Sequence, residues 1–261
     1  MKASIQALAA TLALSSIVGA SAHAQTVAAA PEAPATSTST STISWNAALT
    51  SDYRYRGISQ TRLQPALQGG VDYLHADGWY AGAWASSIKW VDDAGGSGDV
   101  EIDVYGGKRG EFNAGLTYDL GVLRYFYPDN GLGQLPGWVN AHTTEVYAQL
   151  GAGPAYVKYS HATTNLFGFV DSENSGYLDI GANLDVGHGF TLNLHAGRQK
   201  VKNNTASSYT DWKIGVTRSF ELATVAIAYV GTNASRTAYA NPHNGKFTGR
   251  DALQLTVSRS F

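Results

Sequence analysis

The sequence predicts an all-β protein, a transmembrane antiparallel up-and-down β-barrel of about 12 strands with short periplasmic turns and longer extracellular loops. Three observations support this prediction. The composition includes 29 glycines and 15 tyrosines but one methionine, which suits strands and turns better than helices. Apolar and polar side chains alternate along many short segments. The connections between these segments are short and long in turn.

From Ile43 onward, alternation and turn residues divide the chain into strands. The clearest is the eighth, where Leu178, Ile180 and Ala182 alternate with Asp179 and Gly181. Such a period of two places successive side chains on opposite faces of a strand. The twelve predicted strands are 43–57, 66–76, 79–91, 100–107, 111–127, 142–151, 155–161, 178–186, 190–200, 208–220, 222–231 and 249–261.

The connections that follow even-numbered predicted strands are short, and those that follow odd-numbered strands are longer. A transmembrane barrel requires short periplasmic turns, long outer loops, an even number of strands and both termini in the periplasm. A soluble sandwich has no reason to separate its loops in this way. The short connections are 77–78, 108–110, 153–154, 187–189 and 220–221, and the long ones are 58–65, 92–98, 128–141, 162–176, 201–207 and 232–248.

Three regions are predicted along the chain. Residues 1–24 resemble a secretory signal peptide, with Lys2 before an apolar centre and Ala22-His23-Ala24 as a cleavage pattern. Residues 25–42 are rich in Ala, Pro, Ser and Thr and are predicted to be a disordered tail. Residues 43–261 form the barrel. The predicted location is therefore the outer membrane of a Gram-negative bacterium.

Composition excludes several classes of function. With no cysteine, neither disulfides nor thiolate sites are available, and the seven histidines show no metal-binding spacing. The formal charge of −2 gives no nucleic-acid footprint. No apolar run after residue 24 is long enough for a transmembrane helix. No cofactor, metal or nucleic-acid partner is predicted.

The last strand resembles the closing strand of outer-membrane barrels, which the barrel-assembly machinery reads. Arg259 interrupts its apolar face two residues before the terminal Phe, and Arg218 stands in the same place before Phe220. An Arg near a membrane interface costs about 0–1 kcal/mol, so both are tolerable. The predicted assembly signal consists of Leu253, Leu255, Val257 and Phe261.

Several motifs follow one another in the first half of the chain, namely Ser-Asp-Tyr-Arg-Tyr-Arg-Gly-Ile-Ser-Gln at 51–60, Pro-Ala-Leu-Gln-Gly-Gly at 65–70, Gly-Trp-Tyr-Ala-Gly at 78–82 and Tyr-Phe-Tyr-Pro at 125–128. This series resembles the TorF family of proteobacterial porin-like proteins. The resemblance covers the chain from Ile43 onward. It implies an outer-membrane barrel with channel activity and supplies no catalytic residues.

Aromatic residues are predicted to form two girdles at the membrane interfaces. The periplasmic girdle comprises Trp45, Trp79, Phe112, Phe190, Phe220 and Phe261. The outer girdle comprises Trp90, Tyr125 and Tyr127.

On the barrel interpretation, the polar face of each strand points into the lumen. Mixed charges there either select ions and small hydrophilic solutes or form ion pairs that hold the wall together. Arg54 and Arg56 are the best candidates for selection, because they lie just below the outer rim. The predicted pore-lining residues are Asp52, Arg54, Arg56, Asp72, Lys89, Glu101, Asp103, Glu145, Lys158, Asp179, Asp211 and Lys213.

The predicted function is passive diffusion of small hydrophilic solutes or ions across the outer membrane, and lipid is the other expected partner. A barrel hydrolase of the lipase or protease type is one alternative. Its lipase candidates are His161 and His243, neither of which lies in a lipase-like motif, and its protease candidates are Asp171 and Glu173 in a loop. A non-conducting structural or adhesive barrel is another. A soluble ligand-binding barrel is disfavoured, because its interior would have to be apolar. Barrels of about eight strands are filled by side chains, and those of about sixteen strands enclose an aqueous channel. A barrel of twelve strands lies between these sizes, so an open lumen is a hypothesis.

Overall fold

The computed structural model of the chain describes residues 41–112 and 115–261. The predicted signal peptide (1–24), and the predicted tail (25–42) apart from its last two residues, lie outside the described residues.

Within the described ranges, twelve strands close into one antiparallel barrel, as the sequence predicts. Each barrel strand pairs with its neighbours in the chain, and the first barrel strand closes on the last. Two further short strands, β2 (Arg54–Tyr55) and β3 (Ile58–Ser59), form a separate hairpin. The barrel strands are β1 (Thr42–Thr50), β4 (Ala66–Leu74), β5 (Trp79–Ser87), β6 (Val100–Glu111), β7 (Leu116–Phe126), β8 (Thr143–Ala152), β9 (Ala155–Ala162), β10 (Gly176–Gly187), β11 (Phe190–Lys200), β12 (Tyr209–Ser219), β13 (Thr224–Thr232) and β14 (Ala252–Ser260).

Helix is scarce in the described chain. One four-residue helix, α1 (Trp90–Asp93), follows β5, and Leu132–Gln134 and Thr205–Ser207 form 3-10 turns. No helix in the described ranges has the length and apolar character needed to cross a membrane.

The C-terminal residue completes the barrel closure. Trp45 and Phe261 exchange two backbone hydrogen bonds, with N–O distances of 3.1 and 2.8 Å. From this pair the ladder runs through Asn46 opposite Ser260 to Thr50 opposite Thr256. Arg259 folds back over the ring of Phe261, and Arg218 over that of Phe220, at 5.1 and 5.0 Å. Both Arg-x-Phe endings therefore place a cation on an aromatic ring at the end of the barrel that carries the short turns.

The two faces of the barrel wall differ in chemistry. Aliphatic and aromatic side chains point outward, for example Leu253 at 69 % exposed and Ile180 at 54 %. Charged and amide side chains such as Glu101 and Gln254 point inward, where 1 % and 2 % of their surface is exposed. This inside-out pattern is typical of a membrane barrel, because lipid accepts apolar groups and rejects charges.

Tyrosine rings lie flat against the inner wall because the adjacent strand carries glycine. Gly82 on β5 stands opposite Tyr105 on β6, and Gly121 opposite Tyr147. A Cβ atom at Gly82 would come within 2.5 Å of the Tyr105 ring. The flat ring directs the Tyr105 hydroxyl to Asp72, where it donates a hydrogen bond of 2.5 Å. Glycine–aromatic pairs of this kind also fix strand register.

The predicted outer aromatic girdle is wrong. Tyr125 and Tyr127 are only 3 % and 2 % exposed. Tyr125 falls on the inner face of β7, while Tyr127 and Trp90 belong to connections that fold over the barrel opening. The outward aromatic residues near this end are Phe126, Tyr159, Trp212 and Tyr229. Among the predicted periplasmic girdle residues, Trp45, Trp79, Phe112, Phe220 and Phe261 are between 52 and 67 % exposed.

The first and third predicted strands are too long. β1 ends at Thr50 rather than 57, and β5 ends at Ser87 rather than 91. The alternation continues past Thr50, but Gln254 of β14 donates to the carbonyl oxygen of Asp52 at 2.8 Å and so binds the chain inside the barrel. Residues 51–65, here called the inward segment, consequently leave the wall.

The Tyr–Gly packing yields a stability prediction. Gly82→Ala should destabilise the barrel by about 1–3 kcal/mol, because the new methyl group displaces the Tyr105 ring from Asp72. Gly106→Ala is the matched control, since a Cβ atom there meets its nearest neighbour at 3.2 Å. Urea unfolding in lipid vesicles measures both. Equal stability of the two variants would contradict the packing role.

Candidate channel constriction

The inward segment carries a tight hairpin into the lumen. Its strands pair Arg54 with Ser59 and Tyr55 with Ile58, which leaves Arg56 and Gly57 as a two-residue turn. Both turn residues have positive φ, 46° and 79°, as a type I′ turn requires. A Cβ atom on Gly57 would also lie 2.8 Å from the Cβ of Asp211. The glycine of this turn thus lets the hairpin tip touch the wall at Asp211.

Arg56 is the central contact of this tip. Its guanidinium donates to both carboxylate oxygens of Glu145 on β8, at 3.0 and 2.7 Å. It also donates to Gln199 Oε1 on β11 at 2.6 Å and lies 4.1 Å from the ring centre of Tyr177 on β10. With 2 % of its surface exposed, Arg56 joins three strands across the lumen. Such bidentate pairing is the strong form of a charge-assisted hydrogen bond.

Arg54 holds the hairpin to its own base. Its Nε donates to Asp52 Oδ2 at 2.8 Å, and its Nη1 donates to the carbonyl oxygens of Gly57 and Arg250. Ser59 donates to the other oxygen of Asp52 at 2.5 Å. Both guanidinium groups of the hairpin are therefore neutralised by carboxylates.

Aromatic contacts attach the other side of the inward segment. Tyr53 is fully buried, packs edge-on against Trp84 at 5.5 Å and donates to Glu101 Oε1 at 2.8 Å. The hydroxyl groups of Tyr55 and Tyr125 lie 2.7 Å apart. The inward segment thus contacts strands on several sides of the barrel and narrows this section of the lumen.

The local electrostatics follow from burial and pairing. Burial raises the pKa of Asp52 above its ordinary value, although Arg54 and Ser59 oppose the shift. Burial acts to lower the pKa of Arg56, but Glu145 and the neighbouring tyrosines outweigh it and hold that pKa well above the usual range. Arg56 therefore remains a cation in its buried position.

The structure places most of the predicted pore-lining residues in the interior. Asp52, Arg54 and Arg56 lie on the inward segment rather than on a strand of the barrel wall. Lys89 is the exception: it is exposed in the connection before α1, so its assignment to the lumen is wrong. Those on the inner face of the wall are Asp72, Glu101, Asp103, Glu145, Lys158, Asp179, Asp211 and Lys213. Whether they line an open pore stays a prediction.

Sequence reasoning missed a histidine in the lumen. The two ring nitrogens of His195 lie 2.8 Å from Asp179 Oδ1 and 2.6 Å from Asp211 Oδ2. Tyr177 donates to Asp211 at 2.9 Å. The alternation along β11 could have revealed it, because His195 stands between the outward Leu194 and Ala196 and must therefore face the lumen. The inner tyrosines were missed because aromatic residues were expected at the membrane interfaces.

The two histidines considered for a hydrolase lie on different parts of the barrel, His161 at the outer end of β9 and His243 in the connection between β13 and β14. The His161 ring contacts Asn174 Oδ1 at 3.2 Å, and Asn241 accepts from the backbone of His243. Among the described residues no group of three or more His, Asp or Glu side chains could hold a metal ion.

Comparison with models of protein families shows the family to which the chain belongs. The model of the Gcw_chp family, described as a bacterial protein of unknown function, matches residues 34–261. The chain belongs to the Gcw_chp family. Its narrower assignment to the TorF family stays a prediction. No curated protein matches the chain.

Solved structures share the fold of this Gcw_chp chain. A KdgM porin aligns with a TM-score of 0.51 and 8 % identity, covering 85 % of this chain and 98 % of that one. KdgM in complex with disordered oligogalacturonate aligns with a TM-score of 0.50 and 7 % identity, again covering 85 % and 98 %. A NanC porin structure gives 0.50 and 11 %, covering 83 % and 98 %. At these identities, the likeness shows the barrel fold.

The Arg56–Glu145 pair can be tested with a double-mutant cycle. Arg56→Gln and Glu145→Gln should each cost about 3–5 kcal/mol, because each leaves a buried partner without its counter-charge. The double variant should cost less than the sum of the two. Urea unfolding in vesicles measures the cycle, and Arg198→Gln, on the exposed outer face, is the control. Additive costs would show that the two residues are not coupled.

Proposed function

We propose that this protein is an outer-membrane channel for passive diffusion of small hydrophilic solutes or ions, with the inward segment as its narrowest section. The observation that carries the proposal is the opposed chemistry of the wall, apolar outside and charged inside. A closed barrel of this kind is stable in lipid while its interior holds water and ions. The fold shared with the KdgM and NanC porins supports it.

The pairing of charges at the constriction bears on selectivity. Arg54 and Arg56 are the candidates for selection, and Asp52 and Glu145 bind them at 2.8 and 2.7 Å, so both form ion pairs inside the barrel. A compensated constriction exerts little net field on a passing ion. Solute size therefore limits passage more than the sign of its charge does.

The proposal includes the route to the membrane. The N-terminal 24 residues act as a cleaved export signal, and the barrel-assembly machinery of a Gram-negative bacterium reads the last strand. Outward Leu253, Leu255, Val257 and Phe261, between 41 and 69 % exposed, give that strand an apolar face for lipid that only Arg259 interrupts.

A non-conducting structural or adhesive barrel is the second candidate. The observation that favours it is the same inward segment, because Tyr53 and Arg56 are 0 % and 2 % exposed within the lumen. Recording from single barrels separates the two functions.

In planar bilayers, the purified chain should give small discrete conductance steps. Replacing residues 53–60 by a short Gly-Ser linker should raise the step size severalfold, because water replaces the side chains that fill the lumen. The control shortens the exposed turn 242–246, which lies outside the barrel wall and should leave the steps unchanged.

Each outcome distinguishes the candidates. Steps from the native chain that grow in the linker variant support a constricted channel. A silent native chain contradicts the channel and favours the structural barrel. Equal steps in both would place the narrowest section elsewhere.

A further inference from the structure

Above the inward segment lies a cavity of about 240 Å³ at the outer opening of the barrel. All six outer connections contribute to its wall. Residues bordering it include Tyr55 from the first connection, Trp90 from the second, Trp138 from the third, Phe167 from the fourth, Val201 from the fifth and Tyr239 from the sixth. Six separate segments thus converge on one space, with the hairpin β2–β3 as its floor.

Aromatic packing holds this wall in place. Tyr55 packs edge-on against Phe167 at 5.2 Å, and Trp90 packs edge-on against Tyr127 at 5.1 Å. On the opposite side, Tyr239 packs against Tyr209 at 5.2 Å and donates to the carbonyl oxygen of Ser207 at 2.7 Å. The cavity is therefore built by interlocked rings rather than left between loose loops, and a ligand would find it preformed.

The charge of the wall limits what can bind. Among the described residues that border the cavity, none is Lys, Arg or His, and Asp93 is the one ionisable carboxylate. Arg62 binds Asp93 through its Nε at 3.1 Å and through Nη2, and the Asn241 amide also donates to it. The single anionic group is therefore already neutralised from outside the cavity.

Most polar groups in the wall are bonded within the protein, and the buried Nε1–H of Trp90 is a donor without a partner among the described residues. Gln199 accepts from Arg56 at 2.6 Å and donates to the carbonyl oxygen of Gly176 at 3.2 Å. Ser59 donates to Asp52, and the Gln60 amide donates to the carbonyl oxygen of Ile58 at 2.9 Å. The wall thus presents rings and aliphatic groups to an occupant, with few unused hydrogen-bonding groups.

We propose that this outer aromatic cavity binds a small uncharged ring compound. Apolar faces of the ligand would replace water against the aromatic wall, which is the usual basis of binding in pockets of this kind. An anion would lose its hydration without meeting a cation, so it is excluded. The site does not depend on conduction, because it lies on the outer side of the inward segment.

Two probes that share one ring test the charge rule. Isothermal titration of the full barrel in detergent, corrected by titration of empty micelles, should show saturable binding of one indole per barrel. Indole-3-acetate should bind at least about tenfold more weakly, because its carboxylate is desolvated without a partner. Equal or tighter binding of the anion overturns the proposed ligand class. No saturable indole binding overturns the site.

Neighbouring variants locate the site. Ala238 borders the cavity and adjacent Thr237 does not, while both are exposed on the same connection. Ala238→Trp should abolish indole binding by filling the space, and Thr237→Trp should leave it unchanged. Trp138→Ala should weaken binding severalfold and serves as the second test if Ala238→Trp fails to fold. Unchanged binding in both cavity variants overturns the assignment.

Discussion

A guanidinium group withdrawn from water needs a counter-charge, and the Arg56–Glu145 pair meets this need inside the barrel, near the outer ends of the strands. The pair joins the hairpin tip to β8, with Gln199 on β11 and the Tyr177 ring completing the site. Without it, the inward segment would carry a buried cation that nothing compensates, a strongly unfavourable state. The position of the hairpin therefore depends on this contact, and so does the division of the interior into two spaces.

The two spaces differ because different parts of the chain build them. Below the hairpin, strands supply the wall, and inward side chains alternate with outward ones, so charges such as Asp179 and Asp211 reach the lumen. Above it, connections supply the wall and contribute mainly aromatic rings. A solute that crosses the barrel would thus meet an apolar vestibule, a compensated constriction and a charged lumen in succession. Each zone favours different chemistry.

Tyrosine links the wall to its contents. Tyr105 and Tyr147 lie flat over glycines of the adjacent strand, which keeps bulky rings from occupying the axis. Tyr53 and Tyr177 instead reach carboxylates, Glu101 and Asp211, at 2.8 and 2.9 Å. One residue type therefore serves as both wall covering and hydrogen-bond donor, which accounts for a composition rich in both tyrosine and glycine.

The barrel is predictable from the amino-acid sequence, because strand alternation and turn residues are local signals that recur through all twelve wall strands. The same alternation predicts the inward charges of the wall strands, although it misplaces Lys89, which lies in a connection. It could not place residues 51–65, since Asp52, Arg54 and Arg56 alternate equally well in a longer strand or an inward hairpin. The inward hairpin is selected by contacts with Glu145 and Gln199, which lie 89 and 143 residues from Arg56 in the sequence. The aromatic cavity has the same origin, because six distant connections must meet before its wall exists.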